Sequence, residues 1–213
     1  MSRIRPSAVI FDYGNVLSAP QGKRETEAMA SILKADVDPF LQAYWKFRLD
    51  YDTAALDPEE YWRKTAEAVS STITESQISE LIAIDSQSWA HQAPHIPEWA
   101  RKLRQAGLKT ALLSNMPLPV RDFITQCHWL PTFHHRTFSC DLRVAKPAPE
   151  MYQNCIDGLA VDPAQILFLD DRPENVGAAE TLGLHAIVYA TAEIAAKELR
   201  ERFDMPVPLV ATV

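Results

Sequence analysis

Four short stretches of the 213-residue chain hold side chains able to do chemistry together. Asp12 ends the apolar run "AVIF" and is followed by the turn formers Gly14 and Asn15. Ser114 and Asn115 end "TALLSN", Asp170 and Asp171 end "ILFLDD", and Lys146 stands in "AKP" just before Pro147. A charge at the tip of a buried strand is costly without a partner. If the apolar runs are parallel strands, their carboxyl ends share one edge, and Asp12, Ser114, Asp170 and Asp171 meet there despite their separation in sequence. Three carboxylates in one crevice repel unless they are protonated or a cation lies among them. Hard oxygen ligands with room for water suit Mg²⁺, and Lys146 supplies a second positive charge.

The elements that must position these residues read clearly beyond residue 100. Short apolar runs at 108–114, 136–140, 166–170 and 185–189 alternate with amphipathic segments, as buried parallel strands and their crossover helices do. The segment 96–107 ends at Gly107 and the segment 173–183 at Gly183, both helix C-terminal signals. The segment 149–161 puts Met151, Tyr152, Cys155, Ile156 and Leu159 on one face. This alternation predicts an α/β fold with a doubly wound parallel sheet. Residues 24–92 break the rhythm with four helical patterns beginning near Lys23, Asp38, Asp57 and Thr74. Asp38, Asp57 and Thr74 stand as N-caps, Pro39 and Pro58 fall in first turns, and Gln77 completes a capping box with Thr74. A helical insert therefore follows the first strand, and "MPVPLVATV" (205–213) reads as an extended tail.

Bulk properties exclude several functions. A net charge of −7 offers no basic stripe for a nucleic-acid backbone. The three cysteines, Cys127, Cys140 and Cys155, are odd in number and widely spaced, so they read as small core hydrophobes rather than a disulfide or zinc framework. The N-terminal apolar run stops at Asp12, too short for a signal sequence, and no run approaches the roughly 20 residues of a membrane span. The expectation is a cytoplasmic protein without nucleic-acid or membrane partners, as monomer or homodimer.

The stretches "VIFDYGNVL", "ALLSN", "RVAKP" and "LFLDDRPEN", in this order and spacing, resemble the four motifs of the haloacid dehalogenase superfamily of aspartate-nucleophile hydrolases. The resemblance covers nearly the whole chain. It implies a Rossmann-like core of five parallel strands from residues 1–17 and 93–213, with a small helical cap at 18–92. It also assigns roles: Asp12 as the nucleophile that forms an aspartyl-phosphate, Ser114 and the backbone near Asn115 as phosphate ligands, and Lys146 as the cation steadying both. Asp12, Asp170 and Asp171, with the carbonyl of Gly14, are then the Mg²⁺ ligands, and the activity is hydrolysis of a small phosphomonoester, sugar phosphates included.

One position departs from the pattern. Most phosphatases of the family carry a second aspartate two residues after the nucleophile, as acid and base; here Gly14 stands there. Losing general acid catalysis can cost about 10²–10⁴ in rate. The D-x-G-N-V form resembles a branch that includes bacterial α-D-glucose-1-phosphatase-like proteins, and good leaving groups would lessen the need for an acid. The rival readings are a metal-free haloacid dehalogenase, which the retained Asp170–Asp171 pair disfavours, and a phosphate-binding pseudoenzyme. In the insert, Arg48 is the cation to bind substrate over the cleft or to serve in an ion pair, whereas Tyr44, Trp45, Phe47 and Tyr51, at helical spacing, read as core. Asn175 is placed to hold the acidic loop. The six histidines show no metal-ligand spacing.

Overall fold

The computed structural model describes residues 3–91, 93 and 95–208, His95 by its backbone alone. The chain opens with β1 (Ala8–Phe11), a tight turn over Tyr13–Leu17, and five helices: α1 (Lys23–Ile32), α2 (Val37–Lys46), α3 (Arg48–Asp52), α4 (Pro58–Ala68) and α5 (Glu75–Ser88). It continues through α6 (His95–Gln105), β2 (Lys109–Ser114), α7 (Leu118–Thr125), β3 (His135–Phe138), α8 (Ser139–Leu142) and α9 (Pro149–Leu159). It closes with β4 (Ile166–Asp170), α10 (Pro173–Thr181), β5 (His185–Val188) and α11 (Ala192–Arg202).

All five strands are parallel, in the order β3-β2-β1-β4-β5. Alternate strand residues feed opposite faces: Val9, Phe11, Leu112 and Leu169 join one core cluster, and Ile10, Ala111, Leu113 and Phe168 the other. β1 is buried throughout, which is why its sequence is unbroken apolar residues. It pairs on one side with β2, which leads outward to β3, and on the other with β4, which leads to β5. The crevice beyond β1 and β4 is thus where the direction of winding reverses, the place where such sheets bind ligands.

Helices α1 to α5 enclose a third core of their own, built on Met29, Phe40, Tyr44, Tyr51, Tyr61 and Trp62. Tyr51 and Tyr61 stack with ring centroids 4.0 Å apart. Asp57 and Thr74 form capping boxes with Glu60 and Gln77. Residue 92, where the expected core boundary falls, and residues 209–213 of the expected tail lie outside the described residues.

Four details correct the sequence reading. The pattern starting at Asp38 is two helices, interrupted at Phe47 (φ −107°, ψ 4°), and the N-cap of the first is Asp36, with Asp38 inside the first turn. Trp45, expected in the core, is 52% exposed. It follows buried Tyr44 by one residue and so projects about 100° around the helix from it. The run 136–140 ends as a strand at Phe138, and Ser139 and Cys140 begin α8. Cys127 is half-buried, whereas Cys140 and Cys155 are buried.

Candidate active site

Register brings the acids together. Phe11 pairs with Leu169, and the Asp12 N–H continues the ladder by donating to the Leu169 carbonyl at 2.9 Å, so Asp12 and Asp170 leave neighbouring strand ends side by side. Asp12, Asp170 and Asp171 each offer a carboxylate oxygen within 4.8 Å of the others. Asp170 is fully buried and Asp12 is 7% exposed, while Asp171 is half-buried.

Lys146 reaches this cluster from the loop after α8. Its ammonium donates to Asp12 Oδ1 (2.8 Å), Asp170 Oδ2 (2.6 Å) and the Leu113 carbonyl (2.9 Å). An ammonium has three hydrogens, and these contacts use all of them. Asn115 fixes the lysine backbone in both directions, its Nδ2 donating to the Lys146 carbonyl (3.1 Å) and its Oδ1 accepting from the Lys146 N–H (2.8 Å). The Lys146–Pro147 peptide is cis.

The remaining oxygens of Asp170 are taken up by its own loop. Oδ1 accepts from the Arg172 N–H and from Asn175 Nδ2, both at 2.9 Å, and Oδ2 accepts from the same Nδ2 at 3.1 Å. Asn175 therefore holds Asp170 in place. Asp171 is held by Asn15, whose Nδ2 donates to its Oδ2 at 2.8 Å. Asn15 has a left-handed backbone (φ 59°), a conformation asparagine tolerates better than most residues. Gly14, by contrast, lies at φ −62°, and a Cβ there would meet Trp89 Cζ3 at 3.5 Å, ordinary contact.

Electrostatically the cluster is short of positive charge. Burial raises the Asp12 carboxyl to about 7, the Lys146 ammonium opposing and the Asp170 charge adding to the rise. For Lys146, burial alone would lower the pKa, but the two carboxylates outweigh it and hold the ammonium charged. One cation beside three carboxylates leaves a deficit that a divalent ion with oxygen ligands would cancel, so these residues fit a hard metal ion.

Asp12, Asp171 and Lys146 form the floor of a cavity of about 490 Å³ between sheet edge and helical insert, with Asp170 buried behind them. Ser114, Asn115, Met116 and Val120 line its core side, and Trp45, Arg48, Leu49, Asp52 and Trp89 its insert side. Ser114 is buried, its hydroxyl only 3.4 Å from the Asn115 carbonyl. Arg48 reaches the cavity wall but is pinned: Nε donates to Asp52 Oδ1 (2.8 Å), and Nη1 contacts the Tyr44 hydroxyl and Asp85 Oδ2 (3.2 Å). Burial pushes the Asp52 carboxyl up to about 6 against the lowering effect of Arg48.

Two contributors escaped the sequence reading. Ser139 accepts from the Met116 N–H (2.9 Å) and donates to the Asp52 carbonyl (2.5 Å), joining the insert to the loop after β2 through one buried hydroxyl. It directly follows β3, so the rule that singled out the ends of the other strands applies to it once β3 is ended at Phe138. Trp89 accepts at its carbonyl from the Tyr13 hydroxyl (2.7 Å) and closes the space above Gly14; no local pattern marks it.

Residues 6–183 match the haloacid dehalogenase-like hydrolase family. Acyl-CoA dehydrogenase family member 10 of mouse is 27% identical over 95% of this chain, which spans 20% of that protein's length. A phosphatase of Mycobacterium tuberculosis is 27% identical over 84% of this chain and 85% of its own. Among solved structures, a haloacid dehalogenase family enzyme of Bacteroides thetaiotaomicron, in complex with magnesium and inorganic phosphate, superposes with a TM-score of 0.67 at 21% identity, covering 86% of this chain and 93% of that one. The L-2-haloacid dehalogenase of Xanthobacter autotrophicus shares the fold too, with a TM-score of 0.64 at 22% identity over 92% of this chain and 82% of that one. Among the described residues no helix is long and apolar enough to cross a membrane.

Proposed function

This chain belongs to the haloacid dehalogenase-like hydrolases, and on that premise we propose that it is a Mg²⁺-dependent phosphatase that hydrolyses a small phosphomonoester through an aspartyl-phosphate on Asp12. The observation that carries the reading is the single ammonium of Lys146 shared between Asp12 and Asp170, with Asp171 close enough to complete a three-carboxylate cluster. A dehalogenase that works without metal has no need of that concentration of negative charge. The phosphatase relative and the magnesium and phosphate bound by the Bacteroides structure point the same way.

Asp12, Asp170 and Asp171, with the Gly14 carbonyl, would hold Mg²⁺, which when bound neutralises phosphoryl oxygens and lowers the Asp12 pKa. Lys146 holds Asp12 Oδ1, which leaves Oδ2 to attack phosphorus. The P–O bond to the alcohol breaks, and the departing oxygen takes a proton from solvent, since Gly14 has none to give. Water then attacks the same phosphorus, inorganic phosphate leaves with the water oxygen, and the Asp12 carboxylate is regenerated. Because all three hydrogens of Lys146 are already engaged, it acts through its charge and by fixing the angle of Asp12. Ser114 and the backbone at Asn115 receive phosphate oxygens, and Arg48 shapes the cavity's insert wall. Helices α1 to α5 act as the cap over the cavity. The substrate is a soluble metabolite rather than a nucleic acid or membrane lipid, and the protein works in the cytoplasm as monomer or homodimer.

The test is phosphate release from p-nitrophenyl phosphate and a metabolite panel, with Mg²⁺ or with EDTA, for the native protein and Asp12→Asn. Release that requires both Mg²⁺ and Asp12 is expected. Halide release from 2-haloacids in EDTA would establish the dehalogenase instead, and phosphate binding without turnover a pseudoenzyme.

A further inference from the structure

Four large apolar side chains stand exposed among the described residues, Trp45, Leu49, Val188 and Ile194, and two of them, Trp45 and Leu49, line the cavity that Asp12 and Asp171 also line. Trp45 is 52% and Leu49 59% exposed. They lie four residues apart across the break at Phe47, while the neighbouring insert aromatics Tyr44 and Tyr51 are buried in the insert's own core. Packing of the insert therefore accounts for the aromatics beside them and leaves these two facing the cavity. Isolated exposed apolar residues need no explanation, but a pair converging on a functional cleft marks a binding wall.

The rest of the insert wall favours the same class of ligand. Its one cation is fully engaged, Arg48 pairing with two carboxylates, Asp52 at 2.8 Å and buried Asp85 at 3.2 Å. A second anionic group on a substrate would have to break that arrangement. Trp89 continues the apolar wall, and Met116 and Val120 extend it on the core side. Polar contacts concentrate on the floor, at Asp12, Lys146, Ser114 and Asn115, where a phosphate would sit. The cavity thus has Asp12 and Lys146 at one end and, along its sides, Trp45, Leu49, Trp89, Met116 and Val120 beside the mutually paired Arg48 and Asp52.

We propose that the substrate is the phosphate monoester of an apolar alcohol, aliphatic or aromatic, whose hydrocarbon part lies against Trp45 and Leu49, in place of a sugar phosphate. The proposal rests on the phosphatase reading above and narrows it.

The test uses a homologous series of n-alkyl phosphates from ethyl to octyl, kept below micelle-forming concentrations, with Mg²⁺. Leaving-group chemistry is nearly constant along the series, so a trend in kcat/KM reads contact with the hydrocarbon. Each added methylene that becomes buried is expected to raise kcat/KM about three- to fourfold. Octyl phosphate should exceed glucose 6-phosphate and glycerol phosphate. The double variant Trp45→Ser/Leu49→Ser changes two exposed positions, and its gain per methylene should fall to less than about twofold. A series that is flat while esters are turned over overturns the inference and leaves the phosphatase reading standing. So does a preference for the sugar phosphates, or a double variant that keeps the native slope. Failure to hydrolyse any ester, p-nitrophenyl phosphate included, overturns both.

Discussion

Replacing Lys146 by methionine removes the only ammonium between Asp12 and Asp170, which also lies over the Phe168 ring, while keeping an unbranched side chain of similar length. At 2.8 and 2.6 Å, each attraction is worth about 6 kcal/mol at an effective dielectric near 20, before desolvation is subtracted. Breaking buried pairs typically costs ~3–5 kcal/mol net, because the surviving charge is stranded. Leaving the Leu113 carbonyl without its donor adds ~1 kcal/mol. Lys146→Met should therefore lose ~4–6 kcal/mol in urea unfolding followed in EDTA, a large share of a domain's usual margin. Asp170→Asn added to it should restore part of the loss by removing one of the repelling carboxylates. Mg²⁺ should stabilise Lys146→Met more than the native protein, since it becomes the only positive charge in the cluster. The pH dependence has a definite sign. Asp12 already sits at about 7 in the folded protein, above its ordinary 3.8, and without the ammonium it moves further up. The folded variant then binds more protons than its unfolded chain, so lowering the pH from about 8 to about 6 should narrow its deficit. A loss below ~1 kcal/mol, or Mg²⁺ stabilising both proteins equally, would refute the view that this lysine offsets a charge deficit.

Gly14→Asp should fit, since φ is −62° and the new Cβ would sit 3.5 Å from Trp89; turnover of alkyl phosphates should rise about 10²-fold, with a shallower dependence on leaving-group pKa, and an unchanged dependence would refute the view that a carboxyl at this position takes over from solvent as the acid. Asn175→Ala strips the side-chain amide that donates to both oxygens of Asp170, which should cost ~2 kcal/mol in urea and weaken Mg²⁺ affinity by about 10-fold or more in titration calorimetry. Arg48→Met leaves Asp52 and Asp85 facing each other without a cation, for a loss of ~3–5 kcal/mol, partly recovered in Arg48→Met/Asp85→Asn by thermal denaturation.

The sheet and its acidic edge were legible for a physical reason. Parallel strands covered on both faces must be apolar from end to end, so the polar residue that ends each one stands out, and topology gathers those ends. Capping at Asp57 and Thr74 was legible because both sides of each reciprocal bond lie within four residues. The break at Phe47 was not, since no glycine or proline marks it and the apolar spacing runs on through it. Trp45 misled for a related reason. Apolarity says that a side chain gains by leaving water; whether neighbouring helices or a ligand will cover it is decided by tertiary packing. Asn15 and Ser139 are ordinary polar residues whose importance lies wholly in what is opposite them, Asp171 in one case and Asp52 and Met116 in the other.

The bond between Lys146 and Asp12 joins positions 134 apart in the chain. A nascent protein can complete β1, the insert and β2 and still possess an inert acid, because the lysine and the β4 carboxylates have yet to be synthesised. Chemistry that needs Asp12, Lys146 and Asp170 together therefore waits until the chain has been made through β4, and recovery of activity on refolding would time that long-range closure rather than the first collapse.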